Sequence, residues 1–129
     1  MEYNYEELLN KYNYKYCDAT DEELDFIARE TKERLISGKP IDLQAFYILM
    51  NETRVCDCSY SYGSVFDFFS HGYVGRELIA NIDGKNYLAN VSYHDDYGIE
   101  EYEPLEFIEV EKKQVLVEQW VEVKKNDNV

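Results

Sequence analysis

The dipeptide Asp83–Gly84 constrains this chain more than any other feature. It stands between RELIANI and KNYLANVSY, two segments in which apolar and polar residues alternate. An Asp-Gly loop takes up the left-handed backbone whose twist matches two antiparallel strands, so the spacing predicts a tight β-hairpin. The turn also sets the register, with Ala80 opposite Tyr87 and Leu78 opposite Ala89. Leu78, Ala80, Tyr87, Ala89 and Val91 then share one face, and that face needs a cover.

The residues before the hairpin supply one. Tyr5, Leu8, Leu9, Tyr12 and Tyr16 recur at helical spacing over residues 3–12 and just beyond. TDEE at Thr20–Glu23 is a capping box, followed by the stripe Leu24, Ile27, Ala28, Thr31 and Leu35. Gly38 and Pro40 end that helix. A third helix is expected from Asp42 to Asn51, burying Leu43, Phe46, Tyr47 and Met50. VCDCSY reads as a short strand, and SVFDFFSHG as a short helix with Ser64 as cap, Gly72 as stop and His71 at its end.

A second hairpin is expected after Pro104, from PLEFIEVE through a turn near Lys112–Lys113 into QVLVEQWVEV. That turn sets Ile108 opposite Val117 and Val110 opposite Val115, with Val121 and Val123 continuing the core face. Leu105, Phe107, Glu109, Glu111, Leu116, Glu118, Trp120 and Glu122 then point outward. The fold class is α+β, with N-terminal helices packed on one face of an antiparallel β-meander of about four strands. Residues 1–129 form a single domain, mainly helical over 1–72, antiparallel sheet over 73–124, with a frayed tail at 125–129.

Charge is the other strong feature. The formal net charge is −14, and between Lys85 and Lys112 there is no Lys or Arg. Residues 94–111 read HDDYGIEEYEPLEFIEVE. Same-face residues of a strand stand roughly 6.7 Å apart, so like charges there repel. Uniform sign also keeps a sheet edge from aggregating, which needs no partner. The functional alternative is imitation of a polyanion, since duplex DNA carries about one negative charge per 1.7 Å of axis. The candidate contacts are Asp95, Asp96, Tyr97, Glu100, Glu101, Tyr102, Glu103, Glu106, Phe107, Glu109, Glu111, Glu118, Trp120 and Glu122. A second acidic run, Asp18, Asp21, Glu22, Glu23 and Asp25, is better explained by capping and the helix dipole.

Catalytic signatures are few. Cys56 and Cys58 share a strand face and, with Cys17 and a His, contain the donors of a zinc site, but the spacing favours free thiols. His94, Asp95 and Asp96 alternate along the chain and do not converge on a strand. No nucleophile elbow, phosphate loop or H-E-x-x-H motif is present in the sequence. No apolar run reaches membrane-span length, and the opening MEYNYEELLN lacks the features of a signal peptide.

In size, acidity, tyrosine content and α+β layout the chain resembles small phage-encoded inhibitors that mimic nucleic acid. These are anti-CRISPR proteins, antirestriction proteins and uracil-DNA glycosylase inhibitors. The resemblance implies a non-enzymatic inhibitor in the host cytosol, without cofactor or metal. Its partner would be the basic nucleic-acid groove of a host protein, such as an RNA-guided nuclease, with no direct nucleic-acid or membrane binding. Monomer and homodimer are both compatible with it. The alternatives are an acidic protein–protein interaction module with an apolar, tyrosine-rich face, and a small metal-dependent enzyme using Cys56, Cys58 or His94.

Overall fold

Asn4 and Thr20 each start a helix by capping it. In the computed structural model, which describes residues 2–52, 54–101, 103–113, 116 and 118–123, Asn4 accepts the Glu7 backbone N–H and opens α1, Tyr5–Lys11. Thr20 opens α2, Asp21–Ile36, through the expected capping box: its hydroxyl accepts the Glu23 N–H, and the Glu23 carboxylate accepts the Thr20 N–H. Asp42 caps α3, Leu43–Asn51, by accepting the Gln44 N–H.

The three helices bury much of the stripes that their spacing predicts, with Leu9, Tyr16, Leu24, Tyr47 and Met50 only partly buried against the core. Tyr5 and Leu8 of α1, Tyr12 at its C-cap, Ile27, Ala28 and Leu35 of α2 and Phe46 and Leu49 of α3 form one core, with Thr31 of α2 buried as well. The buried Thr31 hydroxyl is satisfied by the Tyr5 hydroxyl at 2.8 Å. The sheet face beneath is Leu78, Ala80, Ile82, Tyr87, Ala89 and Val91, all buried. Each large apolar side chain hidden there contributes about 1.5–3 kcal/mol. The layout is α+β: helices first in the chain, then an antiparallel sheet.

That sheet contains β1, Cys58–Phe68, β2, Tyr73–Ile82, and β3, Lys85–His94. The β2–β3 hairpin turns at Asp83–Gly84 with Ala80 opposite Tyr87 and Leu78 opposite Ala89, the register expected from the turn. Strand β1 differs from expectation, because SVFDF is strand and not helix. Tyr60 and Tyr62 pair with Ala80 and Leu78, which puts both tyrosines on the helix-covered face. There Phe46 of α3 meets Tyr60 edge-on, with ring centroids 5.5 Å apart. Two register shifts after Tyr62 let the strand continue to Phe68, and the Ser64 N–H donates to the Glu77 carboxylate instead of starting a helix. His71 caps no helix either; it lies in the tight β1–β2 turn with φ 60°.

The far edge of β3 carries two short strands, β4, Gly98–Ile99, and β5, Ile108–Val110. Here the second hairpin expected from the sequence is corrected. β5 pairs with β3, Leu88 beside Ile108 and Asn86 beside Val110, and residues 116 and 118–123 belong to no strand. Val115 and Val117, expected opposite Val110 and Ile108, lie outside the described residues. The faces are inverted as well. Leu105 and Phe107, expected outside, are buried, whereas Ile108, Val121 and Val123, expected in the core, are exposed. The cause is that residues 105–107 run under the helices before β5 begins. Leu105 exchanges two backbone hydrogen bonds with Ile41, and Phe107 stacks on Phe46. A one-residue change of parity reverses every side chain that follows. No helix among the described residues is long and apolar enough to cross a membrane.

Candidate partner-binding surface

The acidic segment from Asp95 to Glu106 is held at both ends. At its start, His94 Nδ1 accepts the backbone N–H groups of Asp96 at 3.0 Å and Tyr97 at 3.3 Å, closing the β3–β4 turn. The His94 ring lies between Tyr73, 5.0 Å away, and Tyr97, 4.6 Å away. Further on, the Glu100 N–H donates to the Ser92 carbonyl. At the end, the Ile41–Leu105 bridge ties the segment to the helical layer. The charges therefore sit on a fixed frame.

Asp95, Asp96 and Tyr97 are exposed at the turn, Glu100 is half-buried, and Glu101, Glu103 and Glu106 are exposed. The Glu101 carboxylate accepts the Tyr14 hydroxyl at 3.2 Å. Glu109 is exposed in β5, and Glu111 faces Lys113 at 3.4 Å. Tyr102 lies outside the described residues. Phe107 is removed from the candidate contacts, since at 1 % exposure it is a core residue. Glu118, Trp120 and Glu122 are exposed, but they do not share a strand face with Glu109 as expected. Trp120 makes no packing contact that hides it, with 105 % relative exposure.

Ion pairing divides the molecule. Apart from Lys113 with Glu111, every ion pair among the described residues lies between Glu6 and Asp83. The second acidic run is partly engaged, although Asp18 and Asp21 make no ion pair among the described residues. Asp25 pairs with Arg29, Glu22 accepts the Tyr3 hydroxyl, and Glu23 completes the capping box. The backbone N–H of Thr20, then the Tyr12 hydroxyl, hold the Glu23 carboxyl below the usual glutamate range. By contrast Asp95, Asp96, Glu100, Glu103, Glu106 and Glu109 make no ion pair among the described residues.

A second feature beside this array was not anticipated. The end of the β1–β2 hairpin exposes Phe66, Phe68 and Phe69 at 53 %, 82 % and 52 %. The FDFF run was the available signal, but read as a helix it gave no reason for exposure. Two glycines shape this tip. The Phe66 ring lies so close over Gly75 that a Cβ there would come within 2.6 Å of it. Gly72 has φ +83°, and a Cβ there would meet His94 Nε2 at 2.7 Å. The hairpin tip and the acidic turn are thus packed together through His94. A groove of about 460 Å³ is lined by Phe66, Phe69 and Tyr73 of the hairpin and by Glu100 and Glu103 of the acidic segment. Asn90 and Ser92 also line it.

The cysteines correct a further expectation. Cys56 and Cys58 are joined as a disulfide with Cα atoms 5.6 Å apart, while Cys17 is free and exposed. That separation lies in the ordinary disulfide range, so the pairing needs no displaced backbone. Among the described residues no group of three or more His, Cys, Asp or Glu is arranged to hold a metal ion. Comparison with known proteins found no matching family model, no matching curated protein and no matching solved structure.

Proposed function

We propose that the protein is a non-enzymatic inhibitor that occupies the basic nucleic-acid groove of a host defence nuclease, in the manner of an anti-CRISPR protein. The observation that carries this reading is the contrast in ion pairing. In the helical half Glu6, Glu23, Asp25, Glu30 and Glu52 have cation partners, whereas Asp95, Asp96, Glu100, Glu103, Glu106 and Glu109 have none among the described residues and lie on a braced segment. A basic groove pairs these carboxylates on binding, through charge-assisted hydrogen bonds from Arg and Lys. The field of a chain with net charge −14 accelerates that encounter and disfavours direct contact with nucleic acid. In this reading the protein acts in the cytosol of the host cell.

The test is inhibition of DNA cleavage by a panel of purified RNA-guided and restriction nucleases, with duplex DNA as competitor. The reading expects stoichiometric inhibition of at least one nuclease, lost when Glu100, Glu101 and Glu103 are replaced by Lys. Inhibition that survives these replacements, or that added DNA does not relieve, would overturn it.

A further inference from the structure

We infer that the groove between the hairpin tip and the acidic segment seats an arginine side chain of the partner, stem on the Phe66, Phe69 and Tyr73 rings and guanidinium at Glu100 and Glu103. This rests on the reading that a basic protein docks at the acidic segment, and it names the residue type that anchors it.

The lining sets the chemistry of the occupant. No Lys or Arg is among the residues that line the groove, and its two carboxylates have no ion pair among the described residues. Covering them with an uncharged apolar group would strip water from unpaired charges, which is costly. Covering them with a phosphate would add repulsion. The occupant therefore brings positive charge. It also brings a flat or aliphatic body, because Phe66 and Phe69 are half-exposed and aromatic surface gains from being covered. Arginine meets both demands better than lysine. Its guanidinium is planar, weakly hydrated, stacks on aromatic rings and offers a fork of donors to carboxylates. The site is also pre-formed: Phe66 is laid on Gly75, and the acidic wall is braced through the hydrogen bond from Glu100 N–H to the Ser92 carbonyl. An occupant then meets rings and carboxylates that are already placed.

The experiment is an NMR titration of the isotopically labelled protein with N-acetyl-arginine amide. N-acetyl-citrulline amide, nearly the same shape without the charge, is the control. Saturable shifts confined to Phe66, Phe69, Ser92 and Glu100 are expected for the arginine probe, with the citrulline probe about tenfold weaker. Phe66→Ser and Glu100→Gln should each weaken the arginine probe several-fold while the rest of the spectrum stays in place. Equal binding of the two probes, shifts spread along residues 95–111 without saturation, or unchanged affinity in Phe66→Ser would overturn the inference. The probe needs no nuclease, so failure of the inhibitor reading leaves this result to stand or fall alone. A nuclease inhibited equally by the parent and Phe66→Ser would retain that reading and remove the arginine site.

Discussion

His94 Nδ1 accepts the backbone N–H of Asp96 at 3.0 Å, and this contact joins the end of β3 to the first carboxylates of the acidic segment. Because Nδ1 accepts, the ring proton of the neutral imidazole sits on Nε2, the atom turned toward Gly72 at the hairpin tip. His94 is thus a positioning residue for the turn. His94→Phe keeps a ring between Tyr73 and Tyr97 but removes the acceptor. The expected cost is on the order of 1 kcal/mol, because the freed N–H groups lie where water reaches them. Amide hydrogen exchange should speed up at Asp96 and Tyr97 while the core strands keep their protection.

Phe107 and Trp120 separate the observed packing from the outward placement that alternation after Pro104 suggests. Phe107 stacks on Phe46 with centroids 5.5 Å apart and planes at 21°. Its replacement by Ala should destabilise the fold by about 3–5 kcal/mol. Trp120→Ala should stay within about 0.5 kcal/mol, since the indole is fully exposed. Chemical denaturation of the two variants checks both values.

These two residues show where the sequence is legible and where it is not. Asp83–Gly84 dictates turn and register together, so the β2–β3 face could be read residue by residue. Thr20 and Glu23 were equally readable, because a capping box is a local device. β1 was not, since its strand character depends on Tyr60 and Tyr62 pairing with Ala80 and Leu78 and meeting Phe46, all distant in the chain. The parity error at Phe107 has the same origin: Leu105 is pinned by Ile41, and no local pattern announces it. In the candidate surface the acidic residues were visible from composition. The neighbouring phenylalanines were not, because their exposure depends on their place at the end of β1, which is strand only through its pairing with β2.

Acid should remove a defined part of the stability. The Glu23 carboxyl is held below its ordinary value, first by the Thr20 N–H and then by the Tyr12 hydroxyl. A depressed folded-state value adds stability above the unfolded-state range near about pH 4.3, and the gain is lost as pH falls through the folded value. Glu23→Gln should therefore be less stable than the parent at neutral pH, with the difference shrinking on acidification below that range. Denaturation midpoints measured at neutral and acid pH give the comparison.

Thiol labelling should distinguish the three cysteines. In protein purified without reductant, Cys17 should react with iodoacetamide at once, whereas Cys56 and Cys58 should react only after reduction. Reduction should lower stability by less than about 2 kcal/mol, because the bond closes a loop of minimal length and constrains the unfolded chain little.

The most direct test of the central claim is the salt dependence of binding to the nuclease that the protein inhibits, measured for the parent and for the variant with Gln at positions 100, 101 and 103. The account predicts that parent affinity falls steeply as salt rises. Loss of three charge contacts at about 0.5–1 kcal/mol each should weaken the variant by about 10–100-fold at low salt and flatten its salt slope. An unchanged circular dichroism spectrum would show that its fold persists. Equal affinity and equal slope for the two proteins would contradict the claim that this acidic segment is the contact.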